Sequence, residues 1–198
     1  MSTQPQAAWQ VTAGPDEAGD KAGCRHVFLL SFPRSGTTLL EKVLSCHSEV
    51  LALEEVDLLS DIAGEWLSSD ERINALAQLT PEQAADYRAL CWQRVREATG
   101  AELKGKTLLD KLSLHTLSLP LIAKLFPQAK VLFALRDPRD VVLSCFRRRF
   151  QINPAMFELL DLQGAARFYH EVMTLAQTSR ALLPIDVREV RHEQVVEN

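Results

Sequence analysis

The residues Pro33-Arg34-Ser35-Gly36-Thr37-Thr38 put an arginine, a glycine and three hydroxyls into a single short turn. The apolar run Phe28-Leu29-Leu30 precedes it, and Leu39, Leu40, Val43 and Leu44 follow at helical spacing. A strand, a tight turn and a helix start together offer backbone N–H groups to a phosphate. The helix N-terminus adds about half a positive charge. A nucleotide-binding P-loop would have Lys after the glycine, where this chain has Thr37. The planar fork of Arg34 suits phosphate instead. The same letters also fit a plain strand–helix turn with Ser and Thr as caps.

Two more polar clusters follow apolar runs. Asp110-Lys111 comes after Leu108-Leu109, and Arg136-Asp137-Pro138-Arg139-Asp140 comes after Val131-Leu132-Phe133-Ala134-Leu135. A strand-end Arg136 can meet an anion, and Ser144 follows on one face of the next helix. An Arg–Asp surface network capping that helix is the competing reading, and a solvated strand-end Lys is the competing reading of Lys111. The stretch Gly100 to Thr107 matches the P-loop pattern letter for letter. Its context is reversed, however, because a charged helix precedes it and a short strand follows. It reads as a connector, with Lys104 and Lys106 in water.

The elements that must position these residues alternate. Strands are expected at His26 to Ser31, Val50 to Leu53, Thr107 to Asp110, Lys130 to Arg136 and Asp186 to Arg191. Helices are expected at Thr37 to Cys46, Glu55 to Trp66, Thr80 to Ala98, Leu114 to Phe126, Pro138 to Phe150 and Leu162 to Leu183. Thr80-Pro81-Glu82-Gln83 carries an N-cap, a proline at the first helical position and Gln three residues after the cap. Alternation of this kind predicts an α/β fold, a parallel sheet with helices on both faces. The three polar turns should then converge in a crevice beyond the strand ends.

The chain has 198 residues, 46% hydrophobic and 24% charged, as expected of one ordinary globular domain. A net charge of −4 gives no general attraction to nucleic acid. No apolar segment reaches membrane-spanning length, and the polar N-terminus lacks the apolar core of a signal peptide. Residues 1–24 read as a disordered tail and 25–198 as the folded domain. Cys24, Cys46, Cys91 and Cys145 show no C-x-x-C pairing, which suits free thiols and a cytoplasmic location. His47, His115 and His170 have no metal-ligand spacing, and Trp66 and Trp92 read as packing residues.

From His26 onward, these motifs together resemble the sulfotransferases that use 3′-phosphoadenosine 5′-phosphosulfate, particularly the branch with tyrosylprotein sulfotransferases and bacterial tetratricopeptide-repeat sulfotransferases. The resemblance implies a P-loop NTPase-like three-layer fold, with a central parallel sheet flanked by helices. It implies that Pro33, Arg34, Ser35, Gly36, Thr37 and Thr38 form the 5′-phosphosulfate loop. Arg136 and Ser144 would form the 3′-phosphate site. Within Glu54-Glu55, Glu55 matches the general base. Lys111 matches the lysine that faces the transferring group. Arg148 stands at a further basic contact to the donor, and His192 stands where many relatives have Tyr. Ser113 and His115 replace residues that are commonly Pro and Asn. The family usually continues beyond the strand holding Arg191, so the domain is expected to lack the family's C-terminal part.

The chemistry so implied is in-line attack on sulfur by a hydroxyl or phenol of a small molecule, carbohydrate or protein tyrosine. Glu55 would be the base, with Lys111 and Arg34 stabilising the leaving phosphate. The transferring group carries little net charge, so no metal is required. A nucleotide-binding but catalytically inactive relative and a kinase-type NTPase using Gly100 to Thr107 are the alternatives. An arginine at the end of the Lys130 to Leu135 strand, where such an NTPase needs an acid, counts against the second. No nucleic-acid partner is expected.

Overall fold

Short apolar runs bounded by turn residues become strands when both faces can be covered. The computed structural model describes residues 23–100, 103–150 and 154–197. In chain order, β1 (Arg25–Leu30) leads into α1 (Thr37–Ser45) and β2 (Val50–Glu54). Three helices follow: α2 (Ser60–Trp66), α3 (Asp70–Ala77) and α4 (Pro81–Thr99). After β3 (Thr107–Lys111), a 3-10 segment (Ser113–Ser118) runs into α5 (Leu119–Leu125). Then come β4 (Lys130–Leu135), α6 (Pro138–Arg147), α7 (Pro154–Phe157), α8 (Leu162–Leu182), β5 (Asp186–Arg191) and α9 (His192–Glu197).

The strands form one sheet in the order β2-β3-β1-β4-β5, and every pairing is parallel. All five C-terminal strand ends therefore lie along one edge. Glu54 is opposite Lys111, and Leu135 is opposite Arg191. Side chains alternate between faces. Phe28, Leu30, Leu108, Val131 and Phe133 join Trp92 and Leu121 in the larger core. Leu29, Leu109 and Ala134 turn the other way, against Leu40 of α1 and the partly buried Val195 of α9. The result is the expected α/β architecture with helices on both faces.

A third cluster, Phe32, Val141, Cys145, Ala165 and Val172, fastens α6 to α8 behind the loop that follows β1. A fully buried Phe contributes about 1.5–3 kcal/mol, against about 0.5–1.5 kcal/mol for a typical hydrogen bond. Phe32 is therefore the main anchor of that loop. Trp92 is buried, as expected of a packing residue, and Trp66 meets Tyr87 edge to face.

Three helix expectations need correction. The helix expected from Glu55 begins only at Ser60. Asp57 Oδ1 accepts the N–H groups of Leu59 and Ser60 at 3.2 and 2.9 Å, and this local turn displaces the first helical turn. The helix expected over Leu114 to Phe126 splits, because Pro120 has no N–H for the α-helical bond. Thr116 Oγ1 instead donates to Ser113 O and Ser31 O, both at 2.9 Å. The helix from Pro138 ends at Arg147, and Arg148 is extended.

The capping box on α4 forms as expected. The sequence reading did not include α3, α7 or α9. Residues 1–22 of the expected tail lie outside the described residues, whereas Gly23 O accepts from Gly105 N at 2.8 Å. Among the described residues, no helix is long and apolar enough to cross a membrane.

Candidate functional site

Each strand end on the shared edge delivers part of one site. β1 delivers the loop from Pro33 to Thr38. Gly36 sits before α1 with φ of 93°, and no side chain caps the helix. The hydroxyls therefore do not act as the caps of a plain turn, and the first amides of α1 remain open for an anion. Thr37 Oγ1 lies 3.3 Å from Ser113 Oγ, tying the loop to the end of β3. Ser35 is buried and Thr38 exposed. Cys145 Sγ donates to Pro33 O at 3.3 Å. Burial pushes its thiol up to about 11, so it stays a protonated donor.

From β4 comes the basic side. Arg34 Nε donates to Ser144 Oγ at 3.2 Å, and Arg136 Nη1 donates to Arg34 O at 3.5 Å. Arg34, Arg136, Ser144, Arg147 and Arg148 line a cavity of about 390 Å³. Asp140 also lines it and takes Arg136 Nη2 at 3.3 Å. The surface network exists alongside this cavity. Asp137 accepts Arg139 N at 2.9 Å and Arg139 Nη2 at 2.6 Å, and these bonds hold its carboxyl well below the usual range.

His192, at the start of α9, packs directly over Gly36, where a β-carbon would overlap its ring. α9 is itself fastened to the basic side, because Glu193 Oε1 accepts Asp137 N at 3.0 Å. The structure thus brings His192 over the loop and Arg148 to the arginine-lined cavity.

β2 and β3 form the opposite side. Glu55 follows β2 with φ of 54°, and its N–H donates to Lys111 O at 3.1 Å. Its carboxylate lies 3.3 Å from Lys111 Nζ and is 73% exposed. Lys111 is 2% exposed and also meets Glu54 at 3.4 Å and Glu41 at 3.2 Å. Glu41, from the buried face of α1, was not singled out from the sequence, because residue type alone does not separate a buried Glu from a solvated one. Its approach is poorly aligned for a hydrogen bond and acts as an ion pair. Burial works against the Lys111 charge, but Glu41 and then Glu55 outweigh it and raise its pKa.

Asp110 and Lys111 point to opposite faces. Asp110 is fully buried, 3.4 Å from His26 Nε2 and 3.9 Å from His115 Nδ1. It belongs to the core side rather than to the group around Lys111. His115, expected to be a polar helix residue, is buried beside it.

A second cavity, of about 860 Å³, adjoins Glu55. Pro33 lines this one and Arg34 lines the basic one, so the loop is the partition between them. The letter-perfect P-loop is elsewhere. Gly100 caps the end of α4, and Lys106 donates to Ser48 O at 2.8 Å rather than pointing into water. This segment enters β3 at its N-terminal end, away from the shared edge.

A model of the sulfotransferase family matches residues 26–198. The chain belongs to the sulfotransferase family. It is 27% identical to protein-tyrosine sulfotransferase A of Caenorhabditis elegans, over 78% of this chain and 41% of that protein. Protein-tyrosine sulfotransferase of Drosophila melanogaster is 28% identical over 86% of this chain and 34% of its own length. An uncharacterized protein of Aquifex aeolicus is 23% identical over 87% of this chain and 24% of its own length. The chain thus spans less than half the length of these relatives. A sulfotransferase from Mycobacterium avium shares the fold, with a TM-score of 0.55 at 16% identity, covering 93% of this chain and 63% of that one. The basic cavity, the loop and the Glu55–Lys111 pair all lie within the residues matched to this family.

Proposed function

We propose that this sulfotransferase-family chain moves a sulfuryl group from 3′-phosphoadenosine 5′-phosphosulfate to a hydroxyl or phenol. The observation that carries this reading is the loop standing between an arginine-lined cavity and a cavity bordered by Glu55. A nucleotide with anionic groups at both its 5′ and 3′ positions suits the first. Open amides of α1, with Arg34, Ser35, Thr37 and Thr38, suit the 5′-phosphosulfate, while Arg136, Ser144 and Arg148 suit the 3′-phosphate. His192 closes the loop side over Gly36.

In the proposed reaction, the acceptor oxygen bonds to sulfur as the bond from sulfur to the 5′-phosphate oxygen breaks. The acceptor proton passes to Glu55, and the electron pair leaves on the phosphate oxygen. Arg34 and the charged Lys111 stabilise that oxygen. Glu55 is exposed at the cavity edge, where an acceptor hydroxyl can reach it.

The desulfonated product, 3′-phosphoadenosine 5′-phosphate, is expected to raise the melting temperature without Mg²⁺. Arg34→Ala and Arg136→Ala should abolish the shift. Stabilisation by ATP–Mg²⁺ but not by the 3′-phosphorylated nucleotide overturns the reading. Donor turnover that is equal in wild type, Glu55→Ala and Lys111→Ala reduces the chain to a non-catalytic nucleotide binder.

A further inference from the structure

We propose that the cavity beside Glu55 selects an acceptor with a protonated amine or guanidinium group on an apolar body, and that Asp57 is the anion that recognises this group. The inference rests on the sulfotransferase reading, in which this cavity takes the acceptor.

The two cavities across the loop have opposite character. Arg34, Arg136, Arg147 and Arg148 line one. In the other, Leu112, Leu117, Phe150 and Met156 form apolar wall, Glu55 and Asp57 supply carboxylates, and no Lys or Arg lines it among the described residues. The neighbouring cations are already engaged. Lys111 is buried against Glu41, Glu54 and Glu55. Arg94 donates to Asp61 Oδ1 and to Leu58 O, each at 2.8 Å. A cationic group entering this cavity meets Asp57, which shares Oδ1 with the His115 imidazole but pairs with no Lys or Arg among the described residues, whereas Glu55 is already paired with Lys111.

Asp57 is built for that contact. Its side chain is 50% exposed, yet Oδ1 is held from behind by His115 Nε2 at 3.4 Å and by the Leu59 and Ser60 amides. These contacts, His115 first, hold the carboxyl well below its usual range despite partial burial, so it stays ionised. His115 backs Asp57 from the cavity wall. It is 2% exposed and lines the cavity, with Nε2 toward Asp57 and Nδ1 3.9 Å from the buried Asp110 on the core side. A half-exposed carboxylate braced by a buried imidazole, set among apolar walls, forms a pocket for a polar cation rather than a plain helix cap.

Three phenols of similar size provide the test: para-aminoethylphenol, para-ethylphenol and para-carboxyethylphenol, each with the phosphosulfate donor and the full chain. The aminoethyl compound is expected to lead para-ethylphenol in kcat/KM by about tenfold, with the carboxyethyl compound last. Asp57→Asn retains an acceptor for the Leu59 and Ser60 amides and should bring the first two within about threefold. Ala155→Lys, elsewhere on the lining, should invert the order and covers a failure of Asp57→Asn to fold. Calorimetric binding of the same phenols with 3′-phosphoadenosine 5′-phosphate present gives a readout independent of turnover. A charge-blind or acid-preferring ranking, or binding of none, overturns the proposal. The expected ranking in binding without any sulfated product overturns the catalytic reading alone.

Discussion

Arg34 and Glu55 are the non-glycine residues with left-handed backbone among the described residues, with φ of 69° and 54°. That conformation costs about 1–2 kcal/mol for an L-residue and persists where surroundings over-determine it. For Glu55 the constraint is its N–H bond to Lys111 O; for Arg34 it is the pair of contacts to Ser144 and Arg136. Chemistry and strain can be separated. Glu55→Gln and Glu55→Gly should both lower transfer by about 10²–10⁴-fold in single-turnover assays. In urea unfolding, the Gly variant should be the more stable by about 1 kcal/mol; a less stable Gly variant removes the strain account. Asp57 gives a pH prediction. Its folded pKa is depressed, chiefly by His115, so its stabilisation is present above the unfolded value of 3.8 and lost as pH falls through the folded one. Between about pH 5 and pH 2, wild type should lose more stability than Asp57→Asn in denaturant titrations. Parallel losses would show that Asp57 contributes no such linkage.

Elements, more than single residues, decide whether the loop holds its shape. Gly36 needs left-handed backbone and leaves room for the His192 ring on α9. Gly36→Ala meets both constraints and should remove most nucleotide binding in a thermal-shift assay. His192→Ala in the same chain relieves the overlap but not the backbone strain, so partial recovery is expected. No recovery would mean that α9 does not press on the loop. The strands were legible because apolar runs bounded by turn residues have few other stable places, and β5 has the bounds read from the sequence, Asp186–Arg191. The start of α2, the 3-10 segment and the end of α6 were not legible. Each depends on a local competitor to the helix: Asp57 on the amides of Leu59 and Ser60, Thr116 with Pro120, and the extended Arg148.

For the whole molecule, the all-parallel order β2-β3-β1-β4-β5 separates the two candidate phosphate loops. Lys106 stands before the start of β3 and is bonded to Ser48 O. Lys106→Ala should therefore leave the melting shift given by 3′-phosphoadenosine 5′-phosphate unchanged, whereas Arg34→Ala should remove it. Loss of the shift in Lys106→Ala would move the site to the other end of the sheet. The alternation of apolar runs with amphipathic segments already determined an α/β sheet. Parallel strands then had to carry Arg34, Glu55, Lys111, Arg136 and His192 to one edge, because each follows or ends a strand. Those consequences are local in sequence: side-chain period, turn chemistry and strand direction. The ring of Glu41, Glu54 and Glu55 around Lys111, the pairing of Arg34 with Ser144 and the bracing of Asp57 by His115 were decided only by the tertiary structure. They join residues far apart in the chain, and their burial and charge environment exist only once the sheet and its helices have packed.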